Sequence, residues 1–267
     1  MPSFVRLVIL TTLPAAVALL LFLVGWQLTV QVLKIHPILL PTPLRVLQVA
    51  QAEQQTLLRA FANTALASLS GLGISVLLGS LIAILFSQSK WIRRALYPYV
   101  VFLQTVPIVA IAPLLITWSG YHWRTVVLVS IIISLFPIVS NVTAGLISVD
   151  QNLRDLFRLN RATSFQTLIK LHLPFALSHL VLGARVSAGL AVIGAIVGEF
   201  FVGSSGIQTA GLGTVMTSWQ NQARTDALIA AVATSTLLGI LVLGIVNLVG
   251  ATLLRRWTLD VGFESGT

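Results

Sequence analysis

The sequence predicts an all-α, polytopic membrane protein with six transmembrane helices. Of its 267 residues, 57% are hydrophobic and only 9% are charged, and the mean hydropathy is +0.97. Soluble domains carry about 25% charged residues, and disordered chains combine low hydrophobicity with high net charge, so both classes are excluded. Six continuous apolar segments are long enough to cross a bilayer, which takes about 20 residues, and they indicate helices rather than alternating strands. These segments are residues 7–33, 62–87, 96–118, 124–147, 175–201 and 227–254.

The positive charges predict the orientation of these spans. The formal net charge is +9, and in a membrane protein such an excess marks cytoplasmic loops that face anionic lipid rather than a nucleic-acid site. With the N-terminus in the cytoplasm, ten basic residues lie inside and five outside. The inner ones are Arg6, Lys90, Arg93, Arg94, Arg154, Arg158, Arg161, Lys170, Arg255 and Arg256; the outer ones are Lys34, Arg45, Arg59, Arg124 and Arg224. We therefore expect a multi-pass protein of the cell (inner or plasma) membrane, in contact with lipid, with both termini cytoplasmic.

The N-terminal part comprises the first helix and an extracytoplasmic segment. The apolar run within residues 1–37 is longer than the 7–15-residue core of a signal peptide, so we expect an uncleaved first span. Residues 38–61 begin with Pro41 and Pro43 and continue with leucines among Gln and Ala. This pattern predicts an extended stretch followed by an amphipathic helix on the outer surface.

Residues 148–174 form the longest predicted cytoplasmic loop, between transmembrane helices 4 and 5. Arg154, Arg158 and Arg161 follow the spacing i, i+4, i+7, which predicts one basic face on a short amphipathic helix. A second helical stretch is expected from Ser164 to Leu173, stopped by Pro174. The pattern alone leaves two interpretations open: an anchor on lipid headgroups, or a docking element for a cytoplasmic protein.

Prolines and small residues are frequent within the predicted spans. Prolines 98, 107 and 113 are expected to break the third span and Pro137 the fourth, which fits either structural kinks or a translocation pathway. Small residues on the second and fifth spans predict close helix packing. They are Gly71, Gly73, Gly79, Gly183, Ala184, Ser187, Gly189, Gly194 and Gly198.

Motifs for covalent chemistry are missing from the sequence. No G-x-x-x-x-G-K-[ST], H-E-x-x-H or G-x-S-x-G motif occurs, the four histidines are scattered and there is no cysteine. No catalytic residue, metal site or cofactor is therefore predicted. Two ionisable residues, Arg185 and Glu199, fall within the fifth span, roughly 21 Å apart along one helix. They are either functional, as intramembrane charges usually are, or structural, with Arg185 reaching the interface and Glu199 capping a neighbouring helix.

Several stretches resemble one family in register. Leu153–Thr163, the later Leu173-Pro174 and Gly183-Ala184-Arg185 resemble the coupling segment of ABC importer permeases, which carries E-A-A-x-x-x-G, L-P and G-x-R. Leu103–Gly120 resembles the proline-rich third span of these permeases. Leu40–Pro43 and Val197-Gly198-Glu199 resemble their extracytoplasmic segment and fifth-span glutamate. The resemblance covers residues 38–255 and is closest to nitrate/sulfonate/taurine-type permeases, including relatives that import thiamine precursors or riboflavin.

The resemblance implies a permease subunit of an ATP-driven importer. Its transmembrane core would be residues 62–255, and residues 256–267 would be a cytoplasmic tail. The expected partners are cytoplasmic ABC ATPase subunits, an extracytoplasmic solute-binding protein and a second permease copy. ATP hydrolysis would belong to the ATPase, so the chain itself would not be an enzyme. The solute would be a nitrate-, sulfonate- or taurine-like anion, or a thiamine-precursor- or riboflavin-like heterocycle.

The same resemblance assigns two sets of site residues. The residues expected to couple to the ATPase are Asp155, Leu156, Phe157, Arg158, Asn160, Ala162 and Thr163. The pathway or gating candidates are Gln104, Thr105, Pro107, Pro113, Arg185 and Glu199. The family glutamate aligns with Asp155, the alanines with Leu156 and Phe157, and the glycine with Asn160, which is expected to adopt a left-handed backbone. The bulkier alanine replacements imply an ATPase groove shaped to take Phe157.

Two functions of other classes compete with this interpretation. An ion-coupled secondary carrier would move solute without an ATPase, and it usually needs several buried acids or histidines. An integral membrane enzyme would need clustered acids or histidines at one membrane depth, where this sequence offers only Glu199.

Overall fold

The computed structural model of the chain describes residues 2–203 and 210–258, which are almost entirely helical and contain no β-strand. The side chains of Arg6 and Arg256, and nearly all of the predicted tail at 256–267, lie outside the described part. The helices are α1 (Pro2–Val32), α2 (Pro43–Ala52), α3 (Gln54–Gln88), α4 (Lys90–Thr105), α5 (Ile108–Ser119), α6 (Trp123–Ile147), α7 (Gln151–Leu159), α8 (Ser164–Thr167), a π-helical turn (Leu168–His172), α9 (Leu173–Val202), α10 (Leu212–Asn221) and α11 (Thr225–Thr258).

Four helical stretches in the described residues are long and apolar enough to span a membrane. They are Gln54–Gln88, Trp123–Ile147, Ser164–Val202 and Thr225–Arg255, while α4 and α5 together would make a fifth. The apolar stretch of α1, Ala16–Val32, is shorter. The all-α membrane fold is confirmed, and the count of six spans stays a prediction.

The prolines within the predicted spans break fewer helices than the sequence predicted. Only Pro107 coincides with a break: Val106 before it is extended (φ −72°, ψ 123°), and α4 and α5 are bent by 102° there. Prolines 98, 113 and 137 lie inside continuous helices, so the predicted breaks at these positions are wrong. A single proline removes one backbone hydrogen bond, and the packing of the flanking turns can keep the helix intact.

Pro174 does not stop the loop helix either. The helical path runs from Ser164 to Val202, and Pro174 occupies the first turn of α9, where a missing N–H is tolerated. The preceding turn is π-helical, with the N–H of Leu173 bonded to the carbonyl of Leu168. Because the usual hydrogen-bond register is already interrupted there, the proline ends nothing.

The chain divides into two compact units, residues 1–58 with 215–234 and residues 59–214 with 235–267. The first unit contains α2, whose N-cap Thr42 accepts from the N–H of Arg45, as expected for a helix after the proline-rich segment. Two ion pairs tie this unit together: Arg45 Nε to Asp226 Oδ2 at 2.9 Å, and Arg224 to Glu53 Oε1 at 2.8 Å.

The second unit is built on close packing of α6 against α9. A β-carbon on Gly194 would lie 2.7 Å from the Cα of Ser130, and one on Gly198 would lie 3.0 Å from the Cα of Val126. The hydroxyl of Ser187 donates to the carbonyl of Ser134 at 2.6 Å. The predicted small-residue contact is thus confirmed on this face, whereas Gly189 meets nothing within 4 Å.

Small residues also bring α3 close to α6. Gly71 lies against Ser130, Gly79 against Ile138, and between them Ser75 shares a 2.8 Å hydrogen bond with Ser134. The i, i+4, i+8 spacing of these three α3 residues forms one close-packed column. Gly73 lies on another face with nothing within 4 Å, so its expected packing role is wrong.

Candidate functional site

A cavity of about 750 Å³ lies beside the α4–α5 break. Pro107 lies at the break: it has no N–H to donate to the carbonyl of Leu103, and the residue before it, Val106, is extended. The cavity is lined by the end of α4, the start of α5, the middle of α6 and the face of α9 that carries Val186, Leu190 and Ile193. The helix break, rather than a gap in the α6–α9 contact, produces this space.

The cavity wall is apolar with a few polar groups. Phe102 and Phe136 contribute rings, while Gln104, Ser140 and Asn141 contribute an amide, a hydroxyl and a second amide. The Nδ2 of Asn141 donates to the carbonyl of Pro137 at 2.8 Å, and the hydroxyls of Ser140 and Tyr97 lie 3.3 Å apart. An apolar wall with a few fixed polar groups is the usual make-up of a small-molecule site.

The structure does not bring the six predicted pathway residues together. Gln104 lines the cavity, Thr105 and Pro107 sit at the helix break beside it, and Pro113 is exposed on α5. Arg185 is exposed and lines a different hollow, between α9 and the part of α11 from 235 to 243. Glu199 lies in a third place, near the end of α9.

Glu199 is the hub of a buried hydrogen-bond cluster. Its carboxylate, in a residue only 5% exposed, accepts from the Thr64 hydroxyl at 2.9 Å and from the N–H of Gly213 at 2.8 Å. The Thr64 oxygen in turn accepts from the N–H of Leu212 at 2.8 Å. The two side chains together cap the N-terminus of α10, and a β-carbon on Gly211 would overlap the carboxylate.

This cluster bears on the alternatives left open for Glu199. A pocket of about 500 Å³ reaches the carboxylate from the side of His122 and Arg124. The observed hydrogen bonds are those of a helix cap, which was the structural alternative. The role of Glu199 in the solute pathway stays a prediction.

The predicted coupling loop contains a separate short helix. Asp150 N-caps α7 by accepting from the N–H of Asn152 at 2.7 Å. Arg154 reaches back to the carbonyl of Ile147, the last residue of α6, at 2.5 Å, and to the carbonyl of Val149, just beyond that helix, at 2.7 Å. The start of α7 is therefore tied directly to a spanning helix.

The basic face expected on this helix is wrong. Arg154 is used to cap α6, and Arg161 lies beyond the end of α7, so only Arg158 projects from the helix into solvent. The exposed side instead carries a row of leucines at i, i+3, i+6, which we call the leucine row: Leu153, Leu156 and Leu159. Phe157, the expected docking anchor, is half-buried.

The left-handed residue at the end of α7 is Arg161, with φ +51°, and not Asn160, with φ −79°. The N–H of Ala162 bonds to the carbonyl of Phe157 and that of Arg161 to Arg158, which is the Schellman pattern. With the glutamate position of E-A-A-x-x-x-G at Asp155, the glycine position also falls on Arg161, so its alignment with Asn160 is wrong. The remaining coupling residues, Thr163 among them, are exposed or half-buried beside this turn, where Thr163 N-caps α8.

Sequence reasoning missed several residues of these sites. Ser140 and Asn141 are neighbouring polar residues inside an apolar span, a signal that could have been read. Thr64, by contrast, lies in another predicted span, and only the fold reveals it as the partner of Glu199.

Comparison with known proteins agrees with this architecture. The chain matches the family described as "Binding-protein-dependent transport system inner membrane component" over residues 75–257. It is 33% identical over 189 residues to the formylaminopyrimidine transport permease protein ThiX of Halalkalibacterium halodurans, covering 70% of this chain and 75% of that one. It is 30% identical over 243 residues to the riboflavin transport system permease protein RibX of Chloroflexus aurantiacus, covering 90% and 88%.

A third relative carries a different solute name. The putative aliphatic sulfonates transport permease protein SsuC of Bacillus subtilis is 34% identical over 145 residues, covering 54% of this chain and 51% of the relative. The family and these relatives confirm the expectation from the resemblance. The chain belongs to the inner-membrane components of binding-protein-dependent transport systems and is the multi-pass permease subunit of an ABC importer.

Proposed function

We propose that the segment from α7 to α8 is the surface gripped by a cytoplasmic ABC ATPase, and that the solute crosses the membrane through the α4–α5 cavity. ATPase closure would move α7, and α7 would pass the motion to the membrane helices as a rigid body. The leucine row on α7 is the observation that carries this proposal.

The leucine row supports docking of a protein. Leu156 is 52% exposed and Leu159 is 82% exposed on a helix that is otherwise polar on that side. Burying one such side chain contributes about 1.5–3 kcal/mol, so three of them on one helix face favour a partner with an apolar groove. Asp155 and Arg158, which lie 4.0 Å apart at i, i+3, would form the polar rim.

The link from α7 into the membrane supports transmission of force. Arg154 joins the start of α7 to the last carbonyl of α6 and to the carbonyl of Val149 just beyond it, and the helical path after α8 continues into α9 without a stop. A displacement of α7 would therefore act on both α6 and α9. These two helices pack closely and line the cavity, so the same motion would alter the pathway.

The assembly that we propose is a homodimer with both termini in the cytoplasm. One protomer supplies one wall of the cavity, and a second copy would supply the opposite wall. A solute-binding protein would deliver the solute at the extracytoplasmic side, and lipid would cover side chains such as Leu77 and Ile240, which are more than half exposed. The short basic loops support this orientation.

The test uses charges placed on either side of α7. Leu159→Asp and Leu156→Asp should each lower the amount of ATPase that co-purifies with the permease in mild detergent by at least tenfold, because each removes an apolar contact. Gln151→Asp is the matched control: it adds the same charge to the opposite face in the first helical turn, where an acid is tolerated. Equal recovery of ATPase with Leu159→Asp and with the control would refute the docking surface.

A further inference from the structure

We infer that the permease itself selects its solute at the α4–α5 cavity, and that the accepted class is an uncharged aromatic heterocycle carrying N–H donors. This inference rests on the proposed role of the cavity as the pathway. It goes beyond that role because it places selectivity in the permease and excludes small anions such as nitrate and sulfonates.

The charge of the cavity wall disfavours an anion. None of the described residues that line the cavity is Lys, Arg, His, Asp or Glu. An anion that entered would lose its hydration shell without meeting a cation in return, which is strongly unfavourable in an apolar space. An uncharged solute avoids this cost.

The backbone around the cavity presents acceptors that lack their usual donors. Pro107 cannot donate to the carbonyl of Leu103, and Pro137 cannot donate to the carbonyl of Ile133; both carbonyl-bearing residues line the cavity. The Nδ2 of Asn141 is already engaged with the carbonyl of Pro137, which leaves its Oδ1 to accept. A wall with surplus acceptors favours a solute with N–H donors and repels an anion.

The aromatic side chains indicate the shape of the solute. Phe102 and Phe136 both line the cavity, and their ring faces can stack on a planar ring. The volume of about 750 Å³ lies within the range of about 300–1,000 Å³ that small-molecule sites occupy. Gln104 supplies an amide that can both donate to and accept from ring nitrogens and exocyclic groups.

The experiment measures binding by the intact complex, purified through the permease in mild detergent. The probe is 4-amino-2-methylpyrimidine, measured by equilibrium dialysis, with nitrate and ethanesulfonate as competitors. We expect saturable binding that a hundredfold excess of either anion does not displace. Gln104→Leu and Asn141→Leu should each weaken binding about five- to tenfold through the loss of one hydrogen bond.

The matched control is Gln88→Leu, which removes an exposed amide at the end of α3, outside the cavity, and should leave binding unchanged. Gln104 is exposed, so its variant should fold even if Asn141→Leu does not. Binding that none of the cavity variants weakens would place the site elsewhere, for example on a co-purified binding protein, and would overturn the inference. Binding of nitrate or ethanesulfonate in place of the pyrimidine, or of neither class, would also overturn it.

ATP-dependent uptake separates this inference from the proposed function. If cells take up an anion through this chain in an ATP-dependent manner, the permease pathway stands and the inferred solute class is wrong. If uptake through the chain is independent of the ATPase, the proposed function fails as well.

Discussion

Replacing Glu199 with alanine removes the carboxylate that joins α9 to α3 and to the first residues of α10, all within the second unit. Glu199 on α9 accepts from Thr64 on α3 and from the N–H of Gly213 at the start of α10. Gly211 and Gly213 lie so close to α9 that a β-carbon on either would overlap Glu199 or the carbonyl of Ile196. The contact of Gly213 with the carbonyl of Ile196 does not depend on the Glu199 side chain, so we expect α9 to keep the start of α10 near its present position when the carboxylate is lost.

The expected cost follows from these contacts. Weakening the hydrogen bonding of a buried backbone donor costs about 1–3 kcal/mol. Thr64 can still donate to the carbonyl of Ala60, at 3.0 Å, so its loss is smaller, about 0.5–1 kcal/mol. The total predicted loss of unfolding free energy for Glu199→Ala is therefore about 1.5–4 kcal/mol. Glu199→Gln keeps an acceptor for Gly213 and a polar group for Thr64, and it should lose about 1 kcal/mol or less.

The assay is reversible unfolding of the purified permease in mixed micelles with increasing SDS, followed by tryptophan fluorescence. Wild type, Glu199→Ala and Glu199→Gln are compared under the same conditions. Equal losses for the two variants would refute the reasoning, because only alanine removes the acceptor. A loss below 0.5 kcal/mol for alanine would show that the cluster does not hold the first residues of α10 in place.

Two further predictions concern α9 and the end of α7. Gly194→Ala should destabilise the permease by about 1–3 kcal/mol, since its methyl would lie 2.7 Å from the Cα of Ser130, whereas Gly189→Ala on the same helix meets open space and should stabilise by up to about 1 kcal/mol. The same unfolding assay checks both, and losses of similar size would contradict the packing described for α9. Arg161→Gly should stabilise α7 by about 0.5–1 kcal/mol because it relieves the left-handed backbone, measured as slower amide hydrogen exchange of α7. Faster exchange in this variant would contradict the Schellman assignment.

The features of the fold that depend on sequence periodicity were predictable. The apolar segments, the helix after the proline-rich stretch, and the helix in the cytoplasmic loop all follow from composition and spacing along the chain. Close helix packing through the small residues of α9 was predictable too, but the sequence did not indicate that α6 is the partner helix.

Features that depend on neighbours in space were not predictable in this way. Whether a proline breaks a helix depends on the packing around it, so Pro107 and Pro137 look alike in sequence but differ in structure. The spacing of Arg154, Arg158 and Arg161 predicted one basic face. In the structure, Arg154 instead donates to the last carbonyl of α6, and α7 ends before Arg161.

The candidate site was predicted only in part for the same reason. Gln104 was found through the proline-rich span, but its neighbours in the cavity come from α6 and α9, which are distant in sequence. The resemblance selected Glu199, yet its partner Thr64 lies 135 residues away and carries no motif of its own.

We have proposed that this permease works with an ATPase docked on the leucine row of α7. The most direct test is to purify the tagged permease in mild detergent and to measure the activity of the ATPase that co-purifies. Wild type and Leu159→Asp are compared. We predict ATP hydrolysis with the wild type and at least tenfold less with Leu159→Asp at equal permease yield. A permease that carries solute while no ATPase co-purifies, even after crosslinking in native membranes, would contradict the account.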